Sequence, residues 1–199
     1  MTTTVFLVRH AAHDRLNRIL CGRMPGVSLG ADGRAQAAAL AERLARESLA
    51  AVYASPLERA CETAKPLARH LEIDVQVVDA LNEIDFGAWT GRAFDDLRDD
   101  PHWTRWNTAR SVTPPPVGET MLEAQTRVVG AIEQLCAAHP EQGIALVSHA
   151  DVIKAALAYY LGLPLDAILR FEISPASISK LVLGDWGAKV ISMNEGLAP

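Results

Sequence analysis

The feature that most constrains this chain is its alternation of short runs of strand-forming residues with stretches of helical periodicity. Val5-Phe6-Leu7-Val8, Ala51-Val52-Tyr53-Ala54, Val75-Gln76-Val77-Val78 and Ile144-Ala145-Leu146-Val147 each have the length and composition of a buried strand. Between them, residues 31–47 repeat Ala and Leu with Arg and Glu, as an amphipathic helix does. Ser55-Pro56-Leu57-Glu58 combines a capping serine, a proline at the first helical position and a glutamate three residues on, so a helix is expected from there to about His70. Thr120-Met121-Leu122-Glu123 repeats the capping pattern and opens a helix to about Ala138. A further helix from about Val152 to Leu161 is closed by Gly162 and Pro164, and segments 178–183 and 188–193 suit a final hairpin. Strands and helices in this order predict an α/β fold, a three-layer α/β/α sandwich around a mostly parallel sheet of about six strands.

Residues 84–118 break the rhythm. They hold Trp89, Trp103 and Trp106, an acidic patch and Pro114-Pro115-Pro116, and are expected to form a partly helical, cap-like excursion within a single domain spanning 1–199. Packing of the excursion accounts for its tryptophans better than a role over a ligand. The acidic pairs Asp95-Asp96 and Asp99-Asp100 suit a solvated helix face better than a metal site.

In parallel sheets, ligands gather beyond the carboxyl ends of the strands. Strand one ends at Arg9-His10. Strand two runs into Ser55, with Arg59 one turn into the next helix. Glu83 follows strand three, and strand four ends at Ser148-His149. Two histidines, two arginines and a carboxylate could therefore meet at one edge.

Four blocks now stand in order: Leu7-Val8-Arg9-His10; Ser55-Pro56-Leu57-Glu58-Arg59-Ala60 with Thr63-Ala64; Glu83 through Gly91; and Val147-Ser148-His149. Together they resemble the histidine phosphatase superfamily, also called the phosphoglycerate mutase-like family. The resemblance implies that His10 attacks phosphorus and forms a phosphohistidine. It implies that Arg9, Arg59 and His149 hold the phosphoryl oxygens, and that Glu83 protonates the leaving oxygen and then activates water. It implies no cofactor and no metal, since fixed cations neutralise the charge. Asn17 resembles an asparagine that often follows the family's nucleophile block. His13, Arg15, Arg18 and Arg23 are either contacts for a second anionic group or a solvated basic loop. Where the family often has glycine after each histidine, this chain has Ala11 and Ala150. A methyl group there could crowd the pocket or restrict φ, while both backbone N–H groups are expected to stay available.

The expected activity is hydrolysis of a small phosphorylated metabolite. Alternatives are a phosphomutase with the same nucleophile, which the modest insert between Glu83 and Gly118 disfavours, and a non-catalytic module that binds a phosphorylated ligand. Gly26-Val27-Ser28-Leu29-Gly30 matches a nucleophile-elbow pattern, but a turn precedes it where a strand is required. A metal hydrolase using His10 and His13 lacks a nearby carboxylate partner.

A net charge of -5 argues against a nucleic-acid partner. No apolar run approaches a membrane span, and the N-terminus does not read as a signal peptide. Cys21, Cys61 and Cys136 form no C-x-x-C pair and suit idle thiols in the cytoplasm. A homodimer is left open.

Overall fold

The computed structural model describes residues 1–196, so the last three positions of the expected 1–199 domain lie outside the described residues. The strands are β1 (Thr2–Arg9), β2 (Leu49–Ala54), β3 (Val75–Val77), β4 (Gly143–Ser148), β5 (Ile178–Gly184) and β6 (Gly187–Glu195). They form one sheet in the order β3-β2-β4-β1-β5-β6. The pairings from β3 to β1 are parallel, while β5 runs antiparallel to both β1 and β6.

Side chains alternate across β1 as a strand with two buried faces requires. Phe6 and Val8 pack with α1 (Ala31–Leu44) and α2 (Glu58–His70), through Leu40, Leu44, Ala64 and Leu67. Val5 and Leu7 face the other way. There they meet α5 (Met121–Ala138) and α6 (Ala150–Leu161), through Val128, Ile132, Val152 and Leu157. The result is the expected helix–sheet–helix sandwich.

The excursion contributes two short helices, α3 (Phe94–Leu97) and α4 (Pro101–Thr108). Trp89 and Trp106 are fully buried and meet edge-on, with ring centroids 6.2 Å apart, which confirms packing as their role. Asp100 caps α4 by accepting from the His102 N–H, while Asp95, Asp96 and Asp99 face solvent.

Helix ends test the sequence signals individually. The capping box on α5 is present in full: the Thr120 hydroxyl accepts from the Glu123 N–H at 3.1 Å and the Glu123 carboxylate from the Thr120 N–H at 2.8 Å. Such a cap is worth about 1 kcal/mol. Gly162 closes α6 at φ 66°, in the left-handed conformation that glycine adopts without a Cβ clash. The cap expected at Ser55 is not made. α2 starts at Glu58 with Leu57 before it, because the Ser55 hydroxyl is engaged at the sheet edge. Glu58 accepts instead from the Gly26 N–H, tying the preceding loop to α2. Ser28 sits exposed in that loop with no strand before it, so the elbow pattern is coincidental.

No described helix is long and apolar enough to cross a membrane.

Candidate active site

The parallel register brings three strand ends to one edge. Arg9 pairs with Ser148 and Ala54 with Val147, and each ladder runs one residue further. The His10 N–H donates to the Ser148 carbonyl at 2.9 Å, and the Ser55 N–H to the Val147 carbonyl at 2.9 Å. His10 and His149 thus come together, with ring centroids 5.1 Å apart.

His10 is almost completely buried. Its Nδ1 lies 2.8 Å from the Ala11 carbonyl, an acceptor, so Nδ1 carries the ring proton and Nε2 keeps a free lone pair. Burial, the Arg59 guanidinium and, more weakly, Arg9 hold its pKa well below the ordinary value. His10 is therefore neutral near pH 7.

The loop after His10 is fixed from both sides. Gln36 on α1 accepts the Ala12 N–H at 2.9 Å, and a Cβ on Gly33 would stand 1.8 Å from the Ala12 carbonyl oxygen. Only glycine lets α1 approach the loop that closely. Ala11 is fully buried beside Leu29, Ala37 and Ala176, so its methyl group fills a small core rather than the cleft. One expectation fails here. The Ala11 N–H is not available to a ligand, because it donates to the Thr63 hydroxyl at 2.9 Å. Thr63 lies one turn beyond Arg59 on α2, and its hydroxyl in turn donates to the Arg59 carbonyl. Ala150, by contrast, does line the cleft, at the first turn of α6.

Arg59 is buried, with Nη2 donating to the Gly22 carbonyl at 2.7 Å and lying 3.3 Å from His149 Nδ1. Arg9 donates to the Ile173 carbonyl at 2.6 Å. Burial lowers both guanidinium pKa values, opposed by the charge of Glu83, yet arginine stays cationic in proteins. Arg59 Nε and Nη1 and Arg9 Nε are buried without a hydrogen-bond partner among the described residues. Buried donors left unpaired cost about 1–3 kcal/mol each, so this edge is prepared for an anion that is not part of the chain.

His149 is completely buried. Its Nε2 meets the Ser55 hydroxyl at 2.8 Å, and Nδ1 faces Arg59 and, at 3.8 Å, the Glu83 carboxylate. Burial and then Arg59 keep its pKa well below the ordinary value, so it is neutral. A guanidinium can only donate, so Nδ1 accepts from Arg59 and the ring proton sits on Nε2, which donates to the Ser55 hydroxyl.

Glu83 projects from an irregular stretch after β3. One carboxylate oxygen accepts from the Ile84 N–H at 2.9 Å. Burial and the nearby Asp151 push its pKa up to about 7, against the pull of Arg59, Ile84 and Arg127. Its backbone carbonyl accepts from Arg23 Nε at 2.7 Å and Arg127 Nη2 at 3.3 Å. Glu119 holds both arginines, at 3.1 Å from Arg23 and 2.6 Å from Arg127.

The cleft encloses about 160 Å³. Arg9, His10, Arg59 and Glu83 all line it, and Asn17 stands at its mouth at φ 59°. Arg23 does not line it, because its guanidinium is taken up by Glu83 and Glu119. Sequence reasoning missed Arg127 and the pair Arg110–Asp151, in which Arg110 from the excursion meets Asp151 on α6 at 2.8 Å. Glu119 stands directly before the Thr120 cap of α5, a position that the capping pattern marks. A larger depression of about 560 Å³ opens at the opposite end of the sheet, near Glu47, Gln142 and Lys180, without a comparable cluster. No group of metal-ligating side chains occurs among the described residues.

Fold and site together define the class, and the chain belongs to the histidine phosphatase superfamily, branch 1, whose family model matches residues 5–196. A bifunctional protein of Mycobacterium tuberculosis is 34% identical over 180 residues, covering 89% of this chain and 49% of that protein. The chain thus spans about half the length of that relative. The adenosylcobalamin/alpha-ribazole phosphatase of Escherichia coli is 30% identical over 197 residues, covering 98% of this chain and 92% of that enzyme. The solved structure of a mycobacterial glucosyl-3-phosphoglycerate phosphatase complexed with VO3 superposes with a TM-score of 0.87. It is 26% identical, with 97% of this chain and 99% of that one covered.

Proposed function

We propose that this chain is a phosphomonoester hydrolase that acts on a small phosphorylated metabolite through a phosphohistidine on His10. The observation that carries this reading is the pairing of His10 Nε2, neutral and with its lone pair free, with unpartnered guanidinium donors in one cleft. The VO3 in the related phosphatase structure supports it, since vanadate imitates a phosphoryl group in transfer.

Each step balances on residues present. Nε2 forms a bond to phosphorus while the ester P–O bond breaks, and Glu83 gives its proton to the departing oxygen. A pKa of about 7 leaves Glu83 substantially protonated for this step and substantially ionised for the next. Glu83 then takes a proton from water, the water oxygen bonds phosphorus, and the N–P bond breaks. Arg9 and Arg59 hold the phosphoryl oxygens throughout, supplying the positive charge that a metal provides in other phosphatases. His149 Nδ1 accepts from Arg59 in the resting site, and it donates to a phosphoryl oxygen once Arg59 turns to the phosphate and Nε2 accepts from the Ser55 hydroxyl.

Arg23 is a positioning residue for Glu83 in this reading, and Asn17 meets the substrate only at the mouth. The 84–118 excursion caps the leaving-group side of one histidine-phosphatase-like domain, through Phe86 and Phe94. A cytoplasmic setting suits Cys21, Cys61 and Cys136, which are free thiols.

The test is trapping of the intermediate. Radiolabelled phosphomonoester, quenched in base, should leave an acid-labile label on His10, and His10→Ala should abolish both label and phosphate release. A label on another residue sinks the mechanism. Transfer to an isomeric ester in place of release to water would establish the mutase instead.

A further inference from the structure

We propose that the leaving-group side of the cleft is built for an uncharged, apolar alcohol or phenol, and discriminates against esters that carry a second anionic group. This rests on the phosphatase reading and deepens it. Beyond His10 the wall is formed by Leu16, Ile19, Leu20, Phe86 and Phe94. The polar side chains beside them are His13, Asn17 and Asp151.

Among the described residues lining the cleft, Arg9 and Arg59 alone carry a permanent positive charge, and both are assigned to the phosphoryl group. Every other cation near the nucleophile is engaged or displaced. Arg23 is spent on the Glu83 carbonyl and Glu119. Arg15 and Arg18 line a neighbouring surface depression and not the cleft, and Arg15 Nη1 lies 2.9 Å from the Met24 sulfur. His13 is buried against His10, with ring centroids 5.5 Å apart. Burial, Arg59 and Arg9 bring its pKa to about 4, so it adds no charge at neutral pH.

Asp151 and its partner Arg110 are already committed to each other and offer a second anion no free cation. Burial disfavours the Asp151 charge, but Arg110 outweighs this and holds it ionised. A carboxylate or second phosphate on the leaving group would thus enter an apolar wall whose one further carboxylate, Asp151, is ion-paired, and would meet no free cation among the described lining residues. Specificity can come from leaving a rival ligand's charge without a partner as well as from added contacts.

The test compares matched esters on the intact protein: phenyl phosphate against 4-carboxyphenyl phosphate, and glycerol 3-phosphate against 3-phosphoglycerate. Calorimetry with phenylphosphonate and 4-carboxyphenylphosphonate supplies a binding readout that needs no turnover. The uncharged member of each pair should lead by about tenfold or more in kcat/KM and in affinity. The carboxylated phenol is the better leaving group, so a preference for phenyl phosphate cannot come from intrinsic reactivity. Equal or reversed preference overturns the proposal. The binding preference without any phosphate release supports it while removing the phosphatase reading. Leu16→Arg supplies the missing cation and should move the phosphonate ratio about tenfold toward the carboxylated ligand. A folded variant with an unchanged ratio would show that the apolar wall does not meet the leaving group, and would also overturn it.

Discussion

His10, Ser55 and His149 stand at the ends of hydrogen-bonded parallel strands, whereas Glu83 stands on a stretch held in place by side chains. In the proposed mechanism the first half of the cleft holds charge, and its precision comes from sheet register. In the same proposal the second half moves a proton, and its precision comes from Arg23 and Arg127, gathered by Glu119 from distant parts of the chain. A phosphoryl cradle needs fixed donors and gains from a rigid sheet. A group that must donate and then accept a proton needs a tuned pKa, which burial beside Asp151 and the arginines provides.

The sharpest way to separate the two halves is Glu83→Gln. It keeps the shape and removes the proton. We expect a loss of about two to four orders of magnitude in kcat/KM for alkyl phosphates. The loss should be much smaller for p-nitrophenyl phosphate, whose leaving group needs no proton, and labelling of His10 by that ester should persist. Equal losses for both would return Glu83 to the charge-holding half. In the wild type the alkyl-ester kcat/KM should fall as pH rises through about 7, where Glu83 loses its proton. The variant should lack that limb.

A smaller effect is expected from Arg127→Gln, which loosens the support without touching the cleft wall. Misplacing a catalytic group by 1 Å can cost 10²-fold, and partial loss of one support should cost about tenfold for alkyl esters. Because Arg127 helps hold the Glu83 pKa down, its removal should also move the alkaline limb to higher pH. A purely structural role would lower activity with every ester alike and leave the limb in place.

The same division explains what could be read from the sequence. The charge-holding half was legible because strand ends announce themselves: an apolar run stops, and Arg9-His10 or Ser148-His149 follows. Register then does the rest, since parallel ladders align the ends of β1, β2 and β4. Ser55 was misread as a helix cap because its hydroxyl has a competing partner, His149, that is 94 residues away in sequence. Arg23 was placed among the substrate contacts by its proximity to His10 in sequence. In space it turns away to Glu83, drawn by Glu119, and no local pattern encodes that pairing. The engagement of the Ala11 N–H by Thr63 was hidden for the same reason.

The smallest effect concerns stability and tests whether the proton-moving half is maintained at a cost. The folded-state pKa of Glu83, about 7, lies above its ordinary 4.5. Between those values the folded protein binds more protons at this site than the unfolded chain, so this group's contribution to stability declines as pH rises through that window. The buried histidines act oppositely: His10 and His149 have depressed values, and their contribution improves with pH until about 6.5. Of these three groups, Glu83 alone still opposes folding above pH 7. Glu83→Gln should therefore stabilise the protein at pH 8 by about 1–3 kcal/mol, and much less at pH 5, where the wild-type carboxyl is already protonated. Thermal melts of both proteins at the two pH values measure it. A wild-type protein as stable as the variant at pH 8 would mean that its neighbours already neutralise the Glu83 charge. The raised pKa would then have to be abandoned, and with it the idea that one carboxyl serves as both acid and base near neutral pH.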